Sequence, residues 1–140
     1  MRNALNRKNR AFSLVELLIV IIIIAVLAAV AIPRFANSTD RSKHSALRAN
    51  LKLYRNAVEL FKADTGAYPS SLADLAAASA PANGLDSTGN SQAITPSDWK
   101  GPYLQSVEND PVSGAAFTYS TASGTVGKVT SSAGAPYNPW

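Results

Sequence analysis

Apolar residues follow two different patterns along this chain, and the change falls near residue 33. Leu17 to Ile32 is an uninterrupted run of 16 apolar residues with no Gly, Pro or polar side chain. Extended back to Phe12 it reaches 21 residues, about 31 Å as a helix, which matches a bilayer core of about 30 Å. Beyond Pro33 the pattern becomes periodic. Leu47, Leu51, Tyr54, Val58 and Phe61 alternate at spacings of four and three, which marks one apolar stripe of an amphipathic helix. Arg41, Lys43, Arg48, Lys52, Arg55 and Lys62 mostly take the other faces, as a solvated surface does. Together the patterns predict one helix from Phe12 to Asp64, 53 residues and about 80 Å long. Pro33 lacks an N–H and is expected to kink or locally break it.

Thr65-Gly66 should end this helix, because Gly66 suits the left-handed cap and Pro69 prevents continuation. Ser71-Leu72-Ala73-Asp74 has the form of a capping box, predicting a short second helix with Leu72 and Leu75 turned inward. From Ala80 to Asp98 the composition shifts to Pro, Gly, Asn, Ser and Thr and predicts a loop. Ala115 to Thr121 and Thr125 to Thr130 alternate as strands around Ala122-Ser123-Gly124, predicting a hairpin packed on the long helix. The expected class is α+β: a long N-terminal helix, half membrane-spanning and half amphipathic, with a small head containing a short helix and an antiparallel hairpin. At 140 residues there is room for one ordinary domain and an appendage.

Charge changes the picture at the N-terminus only. The formal +4 is carried by Arg2, Arg7, Lys8 and Arg10; the other nine basic residues are matched by nine acidic ones. The high pI thus describes the first residues and not a nucleic-acid-binding face. Four basic residues before the apolar run hold the N-terminus on the cytoplasmic side of a membrane and send the rest outward. There is no cysteine, which excludes disulfides, thiolate metal sites and cysteine nucleophiles. His44, the one histidine, has no companion ligands and is read as a surface residue. Without a phosphate loop, a nucleophile elbow or a converging acid–base set, an enzymatic reading has no constellation behind it. No catalytic residue, cofactor or metal site is expected.

Three fates of the N-terminal segment differ in where the chain is cut. A secretory signal would be removed after Ala29-Val30-Ala31, a plain anchor would keep Met1, and neither accounts for Glu16. A carboxylate at a bilayer centre costs about 2.5–3.5 kcal/mol on insertion scales, so an anchor has reason to avoid it.

Arg10-Ala11-Phe12-Ser13-Leu14-Val15-Glu16-Leu17 resembles the prepilin-peptidase site of type IV pilins and type II secretion pseudopilins. The resemblance implies removal of residues 1–11 by cleavage between Ala11 and Phe12, N-methylation of Phe12, and assembly of the product into a helical filament through its N-terminal helix. Ala11 stands where the family usually has Gly. Glu16 becomes the fifth residue of the processed chain, which in the family is thought to pair with a neighbour's N-terminal amine, and Pro33 stands where the family's helix can unwind. The implied boundaries are a leader at 1–11, a spanning or filament-core half-helix at 12–33, an amphipathic half-helix at 34–64 and a head at 65–140. The implied partners are other copies of the chain, a prepilin peptidase, an inner-membrane assembly platform and, before assembly, the bilayer. Gly66-Ala67-Tyr68-Pro69, Gly101-Pro102-Tyr103-Leu104 and Asn109-Asp110-Pro111 resemble the head of a major pseudopilin. The family's calcium loop uses acidic residues, and none follows Asp110 here, so no calcium site is assigned. A pilus subunit and, in a different class, a membrane-anchored binding module are the alternatives.

Overall fold

The computed structural model describes residues 12–137. Its first element, α1, is Leu14–Thr65. The helical assignment continues through Pro33, so the expected local break is absent. A proline deletes one donor from the i→i−4 ladder, while the bonds of neighbouring turns persist. The chain divides into two units, one up to Thr39 and one from Asp40 onward.

In the first unit the large apolar side chains from Leu14 to Ile32 are all exposed. This stretch is long and apolar enough to cross a membrane.

The second unit is built on the apolar stripe. Leu47, Leu51, Tyr54, Val58 and Phe61 are at most 1% exposed, and Ala57 joins them. Against them pack Leu72, Leu75, Ile94, Leu104, Phe117 and Val129. Tyr54 meets Phe117 edge-on at 4.9 Å and Phe61 meets Tyr103 at 5.5 Å, a geometry that adds to burial. The helix ends where expected, with Gly66 at φ +72 donating its N–H to the Lys62 carbonyl at 2.9 Å.

The short second helix is a 3₁₀ helix, Leu72–Ala76. Asp74 Oδ2 accepts the Ser71 N–H at 2.9 Å, and Leu72 and Leu75 face the core. The expected loop at 80–98 instead contains a hairpin, β1 (Asn83–Leu85) and β2 (Ser91–Ala93), paired antiparallel with Gly84 opposite Gln92. Its turn is closed by Asp86, whose Oδ1 accepts the Thr88 and Asn90 N–H groups at 2.8 and 2.9 Å and the Thr88 hydroxyl at 2.6 Å. The second hairpin has two-residue strands, β3 (Thr118–Tyr119) and β4 (Val129–Thr130), with Tyr119 opposite Val129. Its connection is therefore longer than the expected Ala122-Ser123-Gly124 turn. Backbone bonds between Ser120 and Lys128 and from Gly127 to Ser120 carry the pairing into it.

Candidate assembly interface

Helix α1 opens with its own cap. Ser13 precedes the first helical residue, its Oγ accepts the Val15 N–H at 3.3 Å, and Glu16 Oε2 accepts the Ser13 N–H at 3.1 Å. A hydroxyl at the cap and a carboxylate three residues on thus satisfy donors that the helix start leaves open, and the acid also faces the positive end of the helix dipole. Phe12 lies before the helix, 81% exposed. Within the chain the Glu16 carboxylate is turned to Ser13. Ala11 lies outside the described residues. Pro33 is described by its helical backbone. Of the anticipated positions, Phe12 and Glu16 lie at the start of the exposed apolar segment in sequence, and Pro33 follows its last residue, Ile32.

Asp110 is the residue whose importance the sequence reading missed. It is fully buried. Its Oδ1 accepts the N–H groups of Val112 and Ser113 at 2.8 and 3.3 Å; its Oδ2 accepts the Ser132 N–H at 3.1 Å and the Ser131 hydroxyl. Burial pushes this carboxyl up, but the hydrogen bonds from Ser131, Val112, Ser113 and Ser132 hold it below the ordinary carboxylate value. The recognisable cue is Asp110-Pro111-Val112-Ser113-Gly114, an Asx-turn sequence, but nothing local announces Ser131 and Ser132 as partners. Among the described residues no group of three or more His, Asp or Glu side chains could hold a metal.

His44 is half-buried and not a plain surface residue: its Nε2 lies 2.9 Å from the Tyr137 hydroxyl, with the two rings edge-on at 5.1 Å. Tyr54 ties helix to head from the other side. Its hydroxyl donates to the Glu108 carbonyl at 3.0 Å and accepts the Glu108 N–H at 2.7 Å, and burial pushes its ionisation above the ordinary value. Arg55 donates through Nε and Nη2 to the Val129 carbonyl at 3.2 and 3.0 Å, holding β4 to α1.

Comparison with known proteins agrees with this arrangement. Residues 6–32 match the family described as the prokaryotic N-terminal methylation motif, and residues 34–136 match type II secretion system protein G. The chain is 32% identical over 106 residues to the type II secretion system core protein G of Pseudomonas aeruginosa, covering 75% of this chain and 69% of that protein. It is 41% identical over 63 residues to the type IV major pilin protein PilA of Myxococcus xanthus, covering 45% of this chain and 29% of the pilin. No solved structure matches. A methylation-motif segment leading into a head that matches over most of its length places this chain in the type II secretion system protein G family, the pseudopilin branch of the type IV filament subunits.

Proposed function

We propose that this chain is the major, repeating subunit of a type II secretion-type pseudopilus, made as a membrane-held precursor and polymerised through its N-terminal helix. The observation that carries the reading is the exposed apolar stretch of α1, opened by a lone carboxylate and followed by a head with its own core. A soluble protein has no use for such a surface; a bilayer covers it first and neighbouring copies cover it in a filament. A prepilin peptidase cuts between Ala11 and Phe12, and Phe12 is N-methylated. An inner-membrane platform then lifts the subunit into a periplasmic or surface fibre. The role is structural and not catalytic.

Cleavage converts the amide at Phe12 into an ammonium four positions from Glu16. Desolvation on leaving the bilayer makes pairing of Glu16 with a neighbour's ammonium the available compensation, and the pair fixes axial register. Pro33 supplies the point of α1 where one ladder bond is missing and the helix can open during assembly. The residue blocks 1–11, 12–33, 34–64 and 65–140 then serve as leader, filament core, amphipathic connector and head. Intact mass spectrometry of assembled material tests the reading: the mass of residues 12–140 plus one methyl group is expected. Recovery of Met1, or of a chain starting after Ala31, would sink it and favour an anchored binding module or a secreted protein. The 41% identity to a pilin over 63 residues supports a second reading, a pilus subunit that shares this assembly chemistry and differs in what the fibre does.

A further inference from the structure

Strand β3 has one paired edge and one bare one. Ser120, just beyond it, directs both main-chain groups at the facing segment: its N–H donates to the Lys128 carbonyl at 2.9 Å and its carbonyl accepts the Gly127 N–H at 3.0 Å. Main-chain direction alternates along a strand, so Thr118, opposite Thr130, also faces β4, and Tyr119 faces away from it. The facing strand shows the same alternation, because the carbonyl of Val129, opposite Tyr119, turns outward to Arg55. Arg55 thus covers the outer edge of β4. Among the described residues the outward N–H and C=O of Tyr119 meet no hydrogen-bond partner. The sequence does nothing to blunt this edge, since Ala115 to Thr121 contains no charge, Pro or Gly. An edge without such protection is a template for a further strand.

Beside the bare edge runs an apolar groove of about 400 Å³ that no residue of α1 or β4 lines, which puts it on the outer side of β3. The buried Leu72 and Phe117 form its floor, and the exposed Val107 and Ala116 its lip. Tyr119 also lines it, with its hydroxyl donating to the Pro69 carbonyl at 2.6 Å. No lining residue is charged, and the charges that flank the lining segments in the chain are acidic. Asp74 follows Ala73 and accepts the Ser71 N–H at 2.9 Å; Glu108 follows Val107 and accepts the Ser106 hydroxyl at 2.7 Å. Burial first, and then the Asp74 charge, push the ionisation of the Tyr119 hydroxyl above its ordinary value. The base on the same hairpin, Lys128, lines a separate cleft with Arg55 and Glu59.

We propose that the outer edge of β3 accepts an extended segment of another protein as an added strand. Its main chain pairs with Tyr119, an apolar side chain fills the Leu72–Val107–Phe117 groove, and a basic residue lies toward Asp74. A groove alone takes any apolar group, but a bare N–H and C=O beside it match an extended main chain, which offers an acceptor and a donor at that spacing. The proposal concerns the head alone and goes beyond the filament reading.

The probe is the synthetic peptide acetyl-Lys-Val-Thr-Val-Thr-Val-Lys-amide, added to the full-length chain in detergent, with amide hydrogen exchange read by NMR. Without peptide, the Tyr119 N–H should exchange fast and those of Thr118 and Ser120 slowly. With about 90% of chains occupied, exchange at Tyr119 should fall about tenfold, because only the free tenth still exchanges. The same peptide with N-methylated backbone amides keeps its side chains but loses its donors, and should give no protection. Glu in place of both Lys should weaken binding, by a factor that shrinks as salt is added. Val107→Lys, at an exposed position, should weaken binding of the basic peptide and leave the melting temperature unchanged. Exchange at Tyr119 that the peptide does not slow, or that the N-methylated form slows equally, would overturn the proposal. Equal binding of the acidic peptide, or protection at β2 instead, would do the same. A Tyr119 N–H already protected in filaments of the unsubstituted chain would mean that a second copy covers the edge, and would also overturn it. All these results leave the filament reading standing, which the mass of the processed subunit decides.

Discussion

Two carboxylates in this chain sit where an acid is expensive, and they are accommodated by opposite means. Asp110 is buried in the head with donors on both oxygens. Its folded value lies below the ordinary one, so its contribution to stability is full above the unfolded carboxylate range and is lost as pH falls through the folded value. Asp110→Asn places an amide where only acceptors fit, leaving donors of Val112, Ser113, Ser131 and Ser132 in competition or unsatisfied. The expected cost is about 1–3 kcal/mol, with a shallower loss of stability in acid, both read from denaturant melts across pH. Because those donors already occupy the Asp110 oxygens and no acid follows it, calcium should not raise the melting temperature as a ligand specific for the folded state would. A rise reversed by a chelator would refute this. Among the described residues Glu16 accepts the Ser13 N–H, and the partner proposed for it is a neighbour's processed terminus. Glu16→Ala and Glu16→Gln should both leave cleavage intact and lower filament yield by about tenfold or more, since breaking a buried pair costs about 3–5 kcal/mol. Normal filaments from Gln would instead indicate a role for size.

At the scale of elements, the long helix shows what sequence patterning can and cannot reveal. The stripe from Leu47 to Phe61 was legible because a 3.6-residue period over four turns has no other explanation, and the Gly66 stop because few residues accept φ +72. Gly66→Ala meets open space, so its cost should be only the backbone term of about 1–2 kcal/mol, measurable as a lowered denaturant midpoint with an unchanged slope. The hairpin of β1 and β2 was not legible. Its strands, Asn-Gly-Leu and Ser-Gln-Ala, have no apolar alternation, and the pairing is fixed by the Asp86 turn and by the Tyr68–Leu85 bridge, a contact between segments far apart in sequence. The second hairpin was legible as a hairpin but not in its length. Gly127, with φ +84, lies so close to Tyr68 that an added Cβ would stand 2.5 Å from its ring, a close approach between segments that no local pattern announces. The N-terminal methylation motif was legible for a different reason: it is a local pattern that requires no tertiary contact to be recognised. The roles of Asp110 and His44 depend on Ser131, Ser132 and Tyr137, brought to them only by folding.

For the whole molecule, the division into two units separates holding the fibre together from folding the head. Among the described residues no member of the buried core precedes Leu47, and every large apolar side chain from Leu14 to Ile32 is exposed. The apolar area that the spanning segment exposes is the quantity that drives insertion and polymerisation. A fragment of residues 36–140 keeps the whole core, both hairpins, the Asp110 hub and the His44–Tyr137 contact. It should be soluble and melt within the roughly 4 °C that 1 kcal/mol represents for a domain of this size, relative to the full chain in detergent. It should also fail to enter membranes or filaments, because it lacks both the apolar span and the terminus and carboxylate proposed to pair between copies. Circular dichroism melts of the two forms check the first outcome and fractionation of cells expressing the fragment checks the second. A fragment that is unfolded, or that melts far below the full chain, would mean that residues 12–35 carry part of the head's stability, and that a substitution such as Glu16→Ala could lower filament yield by weakening the head and not by breaking register.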